Sequence, residues 1–489
     1  MNRFVPDWLT VLQHENKPAL IVEDKTYSYA DLYRLSRAFA ERLQAYNVLQ
    51  GDRVALLARN PLVFSVAMHA ARFLKAILVP INTRLATSEM VWQVQDAAVS
   101  LFIADSNHEE QMLRVVHDTS RPIPTILLHE MQKDDAKSSF VQGSIDLELV
   151  QSIMYTSGTT GHPKGAMITY ENHLFGAMMS GYRLGIAQGD CWLTSMPLFH
   201  VGGQAVLMRS VIYGTTAMIQ ERFDETEFNR AIDNGIVTLV SVVPAMLSRM
   251  LEGRITSYGS QLRCVLLGGG PAPRPLLERC AALHIPVSQS YGLTEANSQV
   301  ATLPPSLSLE KLGSAGKPLS LNEIRIVDED GHDVAPFSAG EIIVRGPTMT
   351  KGYYHNEEAD RNAWKNGWFY TGDIGTVDEQ GYLYMLDRRH DLIISGGENV
   401  YPAEIESVLS GHDAVQEAGV TGMANDRYGQ VPIAFVVLQK DRMVTALELQ
   451  TYCRSRLAGY KVPKEIRFVS SLPRNASLKL LRRELLQWV

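Results

Sequence analysis

The sequence predicts a multi-domain α/β protein, with a large N-terminal domain over residues 1–387 and a small α+β C-terminal domain over residues 388–489. Three observations predict it. Helical and strand-like patterns alternate over the first 300 residues. From about residue 312 the pattern becomes one of short strands and polar turns. Beyond Asp387 short strands and helices mix in a compact stretch.

Ser28-Tyr29-Ala30-Asp31 reads as a capping box, because the two side chains can each satisfy a free backbone N–H at a helix start. Leu32, Leu35, Phe39 and Leu43 follow at helical spacing and give one apolar face. Arg53 to Ala58, Ala76 to Ile81 and Leu101 to Ala104 are short apolar runs that read as buried strands. Thr238 to Val243, Cys264 to Leu267 and Pro286 to Ser288 read likewise. Strands buried on both faces and separated by helices imply parallel sheets covered by helices. In residues 312–387 the pattern is antiparallel: Ile324 to Val327, a turn at Asp330-Gly331, Glu341 to Arg345, then a polar turn at Asp378 to Gly381 before Tyr382 to Leu386. The domain boundary is expected near Asp387 to His390.

Of the 489 residues, 46 are basic and 53 acidic, a net charge of −7 that argues against a general nucleic-acid binder. Residues 459–489 run the other way, with seven Lys or Arg against two Glu; on charge alone a solvated helix face is the favoured reading over phosphate attraction. Cys191, Cys264, Cys280 and Cys453 form no C-x-x-C pair, which disfavours a zinc or redox motif and suits a reducing cytoplasm. No 18-residue apolar run predicts a membrane span.

The densest chemical signal is Tyr155 to Gly165 (YTSGTTGHPKG). Gly158 and Gly161 let backbone N–H groups approach an anion, the hydroxyls of Thr156, Ser157, Thr159 and Thr160 add donors, and Lys164 adds a cation. The set suits a polyphosphate but lacks the Walker A order. A flexible polar loop is the alternative. Seven further segments follow: Pro197 to His200, Gly268 to Pro271, Gln289 to Glu295, Tyr370 to Asp373, Leu386 to Arg388, Ser395 to Asn399 and Pro473 to Lys479.

In that order, these motifs resemble the adenylate-forming superfamily of acyl-CoA synthetases, luciferase and peptide-synthetase adenylation domains, over nearly the whole chain. The resemblance implies a barrel-like β subdomain about residues 312–387 and a mobile C-terminal domain. It implies ATP and coenzyme A as co-substrates, with Mg²⁺ as cofactor. The loop Thr156 to Lys164 is expected to hold phosphates, and Gly268, Gly269, Gly270, Tyr291 and Gly292 the adenine. Asp373 and Arg388 are expected on the ribose. Thr294 and Glu295 are expected to act in catalysis, Glu295 as the metal ligand. His200 is expected to border the acid pocket, in a positioning role, because a carboxylate is already a nucleophile at neutral pH. Lys479 is implied as the catalytic cation between the carboxylate and the α-phosphate. This chain has Leu478 where the family usually has Gly before that lysine. Ser395, Gly396 and Gly397 are implied to replace Lys479 on the coenzyme A side after rotation about a pivot at His390, where most relatives have Asp or Lys.

Longer runs, among them Pro197 to Gly214, Arg263 to Pro273, Gln289 to Thr302 and Leu472 to Arg482, resemble the o-succinylbenzoate–CoA ligase subfamily of menaquinone biosynthesis. The acid would then be an aromatic dicarboxylate, and its non-reacting carboxylate needs a donor. His200, Ser298, Gln299, Thr302 and Arg209 are candidates, although Arg209 falls in an expected helix that would also suit a surface residue. An aryl or medium-chain fatty acyl-CoA synthetase shares the mechanism and is the alternative. An enzyme loading a carrier protein would need that partner, a phosphotransferase would yield ADP rather than AMP, and a non-catalytic nucleotide binder would have no need of the catalytic positions filled here. A homo-oligomer is compatible with all of these.

Overall fold

A computed structural model describes residues 3–128, 143–156, 163–270, 272–308, 310–388, 391–395, 398–425, 428–475 and 478–488. The chain divides into two compact units, one of residues 1–241, 292–300 and 346–363, the other of residues 242–291, 301–345 and 364–489.

In the first unit, six strands lie in the order Lys164–Thr169, Val150–Thr156, Ile77–Pro80, Arg53–Leu57, Leu101–Asp105 and Thr125–Leu128. All neighbours are parallel except the first pair. The expected strands fall within a residue or two of their places. The helix Tyr29–Ala45 starts at the Ser28–Asp31 capping box with both reciprocal hydrogen bonds present. Asn60 caps the helix Pro61–Phe73 by accepting from the N–H groups of Leu62 and Val63. Twelve of that helix's thirteen residues are buried, so tertiary packing rather than amphipathic patterning holds it. Phe102, Val94, Met90, Val115 and Ile153 form a core against the six-stranded sheet; each such side chain contributes roughly 1.5–3 kcal/mol by burial. A further set of strands runs Leu239–Val242, Cys191–Thr194, Thr216–Ile219 and Pro18–Val22 in parallel, with Lys25–Ser28 closing it antiparallel.

In the second unit, Cys264–Leu267 pairs in parallel with Val287–Leu293, in the register Val265 to Val287. The antiparallel region is as expected: Glu323–Val327, Gly340–Arg345, Trp368–Val377 and Leu383–Arg388 are consecutive partners. In the C-terminal part, the strand Gly429–Leu438 shows why both faces of its sheet are covered. Ala434 and Val436 pack with Ile405, Leu409, Leu449 and Cys453 of two helices. Ile433, Phe435 and Val437 point the other way, to Leu472 and Leu485.

The solvated-helix reading of residues 459–489 is corrected. The segment holds the strand Glu465–Phe468 and the four-residue helix Arg482–Leu485, and several of its cations are paired. Arg482, largely buried, donates to Asp387 (2.7 Å), Asp391 (3.2 Å) and Glu406 (2.7 Å). Burial alone would lower its pKa, but Glu406, Asp387 and Asp391 outweigh that and hold the guanidinium charged. Arg474 pairs with Glu417 and Lys461 with Glu404. All four cysteines are buried free thiols. No helix among the described residues is long and apolar enough to cross a membrane.

Candidate active site

The first unit carries the residues expected on the phosphate side. Strands Val150–Thr156 and Lys164–Thr169 are antiparallel neighbours with Thr156 opposite Lys164. The two strands that flank residues 157–162 are therefore fixed side by side. Ser157, Gly158, Thr159, Thr160 and Gly161 lie outside the described residues. On the entering stem, the Tyr155 hydroxyl donates to Asp96 at 2.6 Å, and the Tyr155 ring meets Trp92 edge-on. On the leaving stem, the Lys164 ammonium sits 5.4 Å from the centroid of the Tyr353 ring.

Thr294 and Glu295 form a 3₁₀ turn after the strand Val287–Leu293, ended by Asn297 in the left-handed region (φ 48°). A Cβ on Gly292 would lie 1.6 Å from the Ser298 carbonyl oxygen, so only glycine lets the chain double back here. The Tyr353 hydroxyl donates to Glu295 Oε1 at 2.8 Å. Burial, and then Glu295, push the Tyr353 pKa up, so the hydroxyl stays a donor. The carboxylate's second oxygen suits Mg²⁺, which takes one or two carboxylates and fills its remaining positions with phosphate and water oxygens.

Behind that turn runs a buried polar chain. His173 Nε2 pairs with Gln151 Oε1 at 3.1 Å, and its Nδ1 faces the Asn297 amide nitrogen at 3.3 Å. A neutral ring donating to Gln151 and accepting from Asn297 satisfies both contacts. Burial, reinforced by Arg209, lowers the His173 pKa to about 3.

His200 occupies the position before the helix Val201–Tyr213, its ring 4.7 Å from that of Phe199. Arg209, nine residues on, projects from the opposite side of that helix. It is not the surface residue that its position in a helix allowed. It is buried, its guanidinium lies 5.6 Å from the Trp192 ring centroid, and desolvation lowers its pKa. On the strand Ser298–Thr302 alternation places Gln299 on the face away from Ser298 and Thr302. The sequence reading missed Gln204, one helical turn after His200. Its side chain is fully buried, Ser152 Oγ lies 3.5 Å from its Oε1, and its Nε2 has no hydrogen-bond partner among the described residues.

The second unit carries the residues expected on the nucleoside side, and Lys479. Gly268 to Gly270 leave the strand Cys264–Leu267 at its carboxyl end, with the Gly268 N–H donating to Val242 (3.2 Å). Carboxyl ends of strands are where α/β sheets bind ligands. Gly269 has φ +86°, and a Cβ there would stand 3.0 Å from Lys479 Cε and 3.9 Å from its Nζ. Lys479 is thus seated on the glycine loop, 210 residues away in sequence. Lys479 is tied back to Asn475: the Lys479 N–H donates to Asn475 Oδ1, the Asn475 N–H to the Lys479 carbonyl, and Arg474 donates to the Leu478 carbonyl.

Tyr291 is buried and donates to Asp373 Oδ2 at 2.8 Å. Asp373 and Arg388 are directly paired across neighbouring strands, so the two expected ribose residues are brought together by backbone register. Ser395 ends the strand Ile393–Ser395 and is buried; Gly396, Gly397 and His390, the expected pivot, lie outside the described residues.

With this geometry in view, the family is plain. Residues 9–354 match the model for the AMP-binding enzyme family, and residues 404–479 match the AMP-binding enzyme C-terminal domain. The chain belongs to the AMP-binding enzymes. Within that family it is 49% identical over 484 residues to the 2-succinylbenzoate–CoA ligase of Geobacillus kaustophilus strain HTA426, covering 98% of this chain and 97% of the relative. It also resembles the o-succinylbenzoate–CoA synthetase of Bacillus subtilis in complex with its acyl-adenylate intermediate, at 44% identity and a TM-score of 0.91, covering 99% of this chain and 98% of that one. The same Bacillus subtilis enzyme with ATP and a magnesium ion matches at 44% identity and a TM-score of 0.90, covering 99% of each chain.

Proposed function

We propose that this protein is an AMP-forming acid–thiol ligase that converts o-succinylbenzoate to o-succinylbenzoyl-CoA, the ligase step of menaquinone biosynthesis. The observation that carries the chemistry is Lys479 packed on Gly269, beside the glycine loop read as the adenine site. Full-length likeness to o-succinylbenzoate ligases supports the choice of acid.

In the first half-reaction a carboxylate oxygen of the acid attacks the α-phosphorus of ATP. The new O–P bond forms as the bond to pyrophosphate breaks. Lys479 offsets the charge that builds on the phosphate and orients the attacking carboxylate. The stems of the phosphate loop and Lys164 bind the polyphosphate, Gly268 to Gly270 and Tyr291 bind adenine, and Asp373 with Arg388 binds the ribose. Tyr291 holds one oxygen of Asp373 and so orients that carboxylate. Glu295 would hold Mg²⁺, which when bound neutralises charge on the phosphate oxygens. In the second half-reaction the coenzyme A thiol attacks the acyl carbon, loses its proton, and AMP leaves. We infer that residues 388–489 rotate about His390 between the two steps, bringing Ser395 to Gly397 to the thiol side.

For the non-reacting carboxylate, Gln204 joins His200, Ser298, Gln299 and Thr302 as a donor. A buried amide N–H₂ without a partner costs stability unless a ligand satisfies it. Arg209 contributes positive potential from behind the helix rather than a direct contact. The enzyme acts on small molecules in the cytoplasm, where four free thiols are at home; neither a nucleic acid nor a membrane takes part, and a homo-oligomer is compatible with the reaction.

Incubation with ATP, Mg²⁺, coenzyme A and a panel of acids, with products weighed by mass spectrometry, tests the reading. AMP, pyrophosphate and o-succinylbenzoyl-CoA are expected, with benzoate and octanoate turned over poorly. Preference for octanoate or a simple benzoate would favour the aryl or medium-chain alternative, and ADP as product would reject the class.

A further inference from the structure

We propose that Tyr353 is a positioning residue for phosphate and metal binding: its hydroxyl ties down one oxygen of Glu295, leaving the other to act as a single metal ligand, while its ring face seats the Lys164 ammonium. This rests on the reading of Glu295 as the magnesium carboxylate and of Lys164 as a phosphate cation.

The backbone shows why the two contacts belong together. Residues 350–354 are stitched along the strand Lys164–Thr169. Lys351 N–H donates to Met167, Met167 N–H to Gly352, and Tyr354 N–H to Gly165, at 2.8–3.1 Å. Tyr353 itself bridges to Ala166. At its start the same segment reaches the other group, where the Thr350 N–H donates to the Glu295 carbonyl at 2.6 Å. The Tyr353 N–H is held by Asp360 at 2.8 Å. One short segment therefore fixes the strand leaving the phosphate loop and the turn bearing Glu295. Tyr353, only 6% exposed, touches the functional side chain of each.

Packing alone does not account for the hydroxyl, since phenylalanine would fill the same space without placing a polar group beside a carboxylate. The hydroxyl has a consequence for the choice of metal. A carboxylate with one oxygen engaged offers a single ligand atom, which suits octahedral Mg²⁺; Ca²⁺ accepts bidentate carboxylates and higher coordination. The Lys164 contact is independent of the metal, because a cation over an aromatic face is held by the ring itself.

Calorimetric titration with ATP, in the absence of any acid so that no turnover occurs, separates these effects. The wild type, Tyr353→Phe, Tyr353→Leu and Glu295→Gln are each titrated in EDTA, in Mg²⁺ and in Ca²⁺. The wild type should bind ATP more tightly with Mg²⁺ than with Ca²⁺; equal support by the two ions overturns the single-ligand argument without any variant. Tyr353→Phe should weaken ATP binding in Mg²⁺ by about 10-fold, leave binding in EDTA within about 2-fold, and narrow the gap between the two ions. Tyr353→Leu should also weaken binding in EDTA, by about 2- to 5-fold. Wild-type affinity of Tyr353→Phe in Mg²⁺, or an equal loss in Mg²⁺ and EDTA, rejects the positioning role. Glu295→Gln is the separate control: if it keeps the full magnesium effect, the assignment of Glu295 itself fails.

Discussion

Leu478 takes φ 60°, the left-handed region that costs a non-glycine residue roughly 1–2 kcal/mol. Its backbone is held there by the Asn475 carbonyl and by Arg474, and the strained residue immediately precedes Lys479. The sequence already marked this position, because the family usually has glycine there; the structure supplies the conformational reason. Leu478→Gly relieves the strain but gives the unfolded chain more freedom. Chemical denaturation should therefore show a change within about 1 kcal/mol, whereas Leu478→Val should destabilise by more, because a β-branched residue fits φ > 0 worst. Equal stability of the two variants would contradict this account. Other residues differ in how far sequence exposes them. Asp373 and Arg388 stand in recognisable motifs that neighbouring strands bring together. Gln204 has only its spacing of four from His200, and Tyr353 has no local signal at all. Its partners are 58 and 189 positions away, so only the folded chain joins them.

Helices and strands were legible where local chemistry decides them. The Ser28–Asp31 capping box and the strand Cys264–Leu267 needed no tertiary information. Residues 459–489 were misread because charge on its own does not reveal which partners the fold will supply. The helix Tyr170–Leu184 shows the same gap, since burial of His173 depends on Gln151 and Asn297 from distant segments. His69 on Pro61–Phe73 is buried likewise, and desolvation, aided by Arg72, lowers its pKa to about 3. Both rings are neutral in the folded state, while in the unfolded chain they take up a proton below pH 6.5, their ordinary value. Their contribution to stability is thus complete above pH 6.5 and is lost as pH falls towards 3, at up to about 1.4 kcal/mol per pH unit for each. The melting temperature should drop between pH 7 and pH 5. His69→Gln, which cannot take up that proton, should flatten the slope; an unchanged slope would show that His69 is not buried neutral.

Across longer distances the chain is tied together by charge as well as by apolar packing. Arg482 gathers Asp387, Asp391 and Glu406, and so links the last helix to the residues on either side of the expected pivot. Arg482→Met would leave three carboxylates crowded without their cation and should cost about 3–5 kcal/mol by denaturant unfolding; a loss below 1 kcal/mol would show that solvent, not Arg482, balances them. Lys479 is the other long-range tie, and the proposed reaction depends on it most. The decisive measurement is of the two half-reactions separately in Lys479→Ala: pyrophosphate release from ATP and o-succinylbenzoate, and coenzyme A capture of pre-made o-succinylbenzoyl-AMP. Adenylation should fall at least about 100-fold while thioester formation stays near the wild-type rate. Adenylation that survives the substitution, or an equal loss in both steps, would contradict the role given to Lys479.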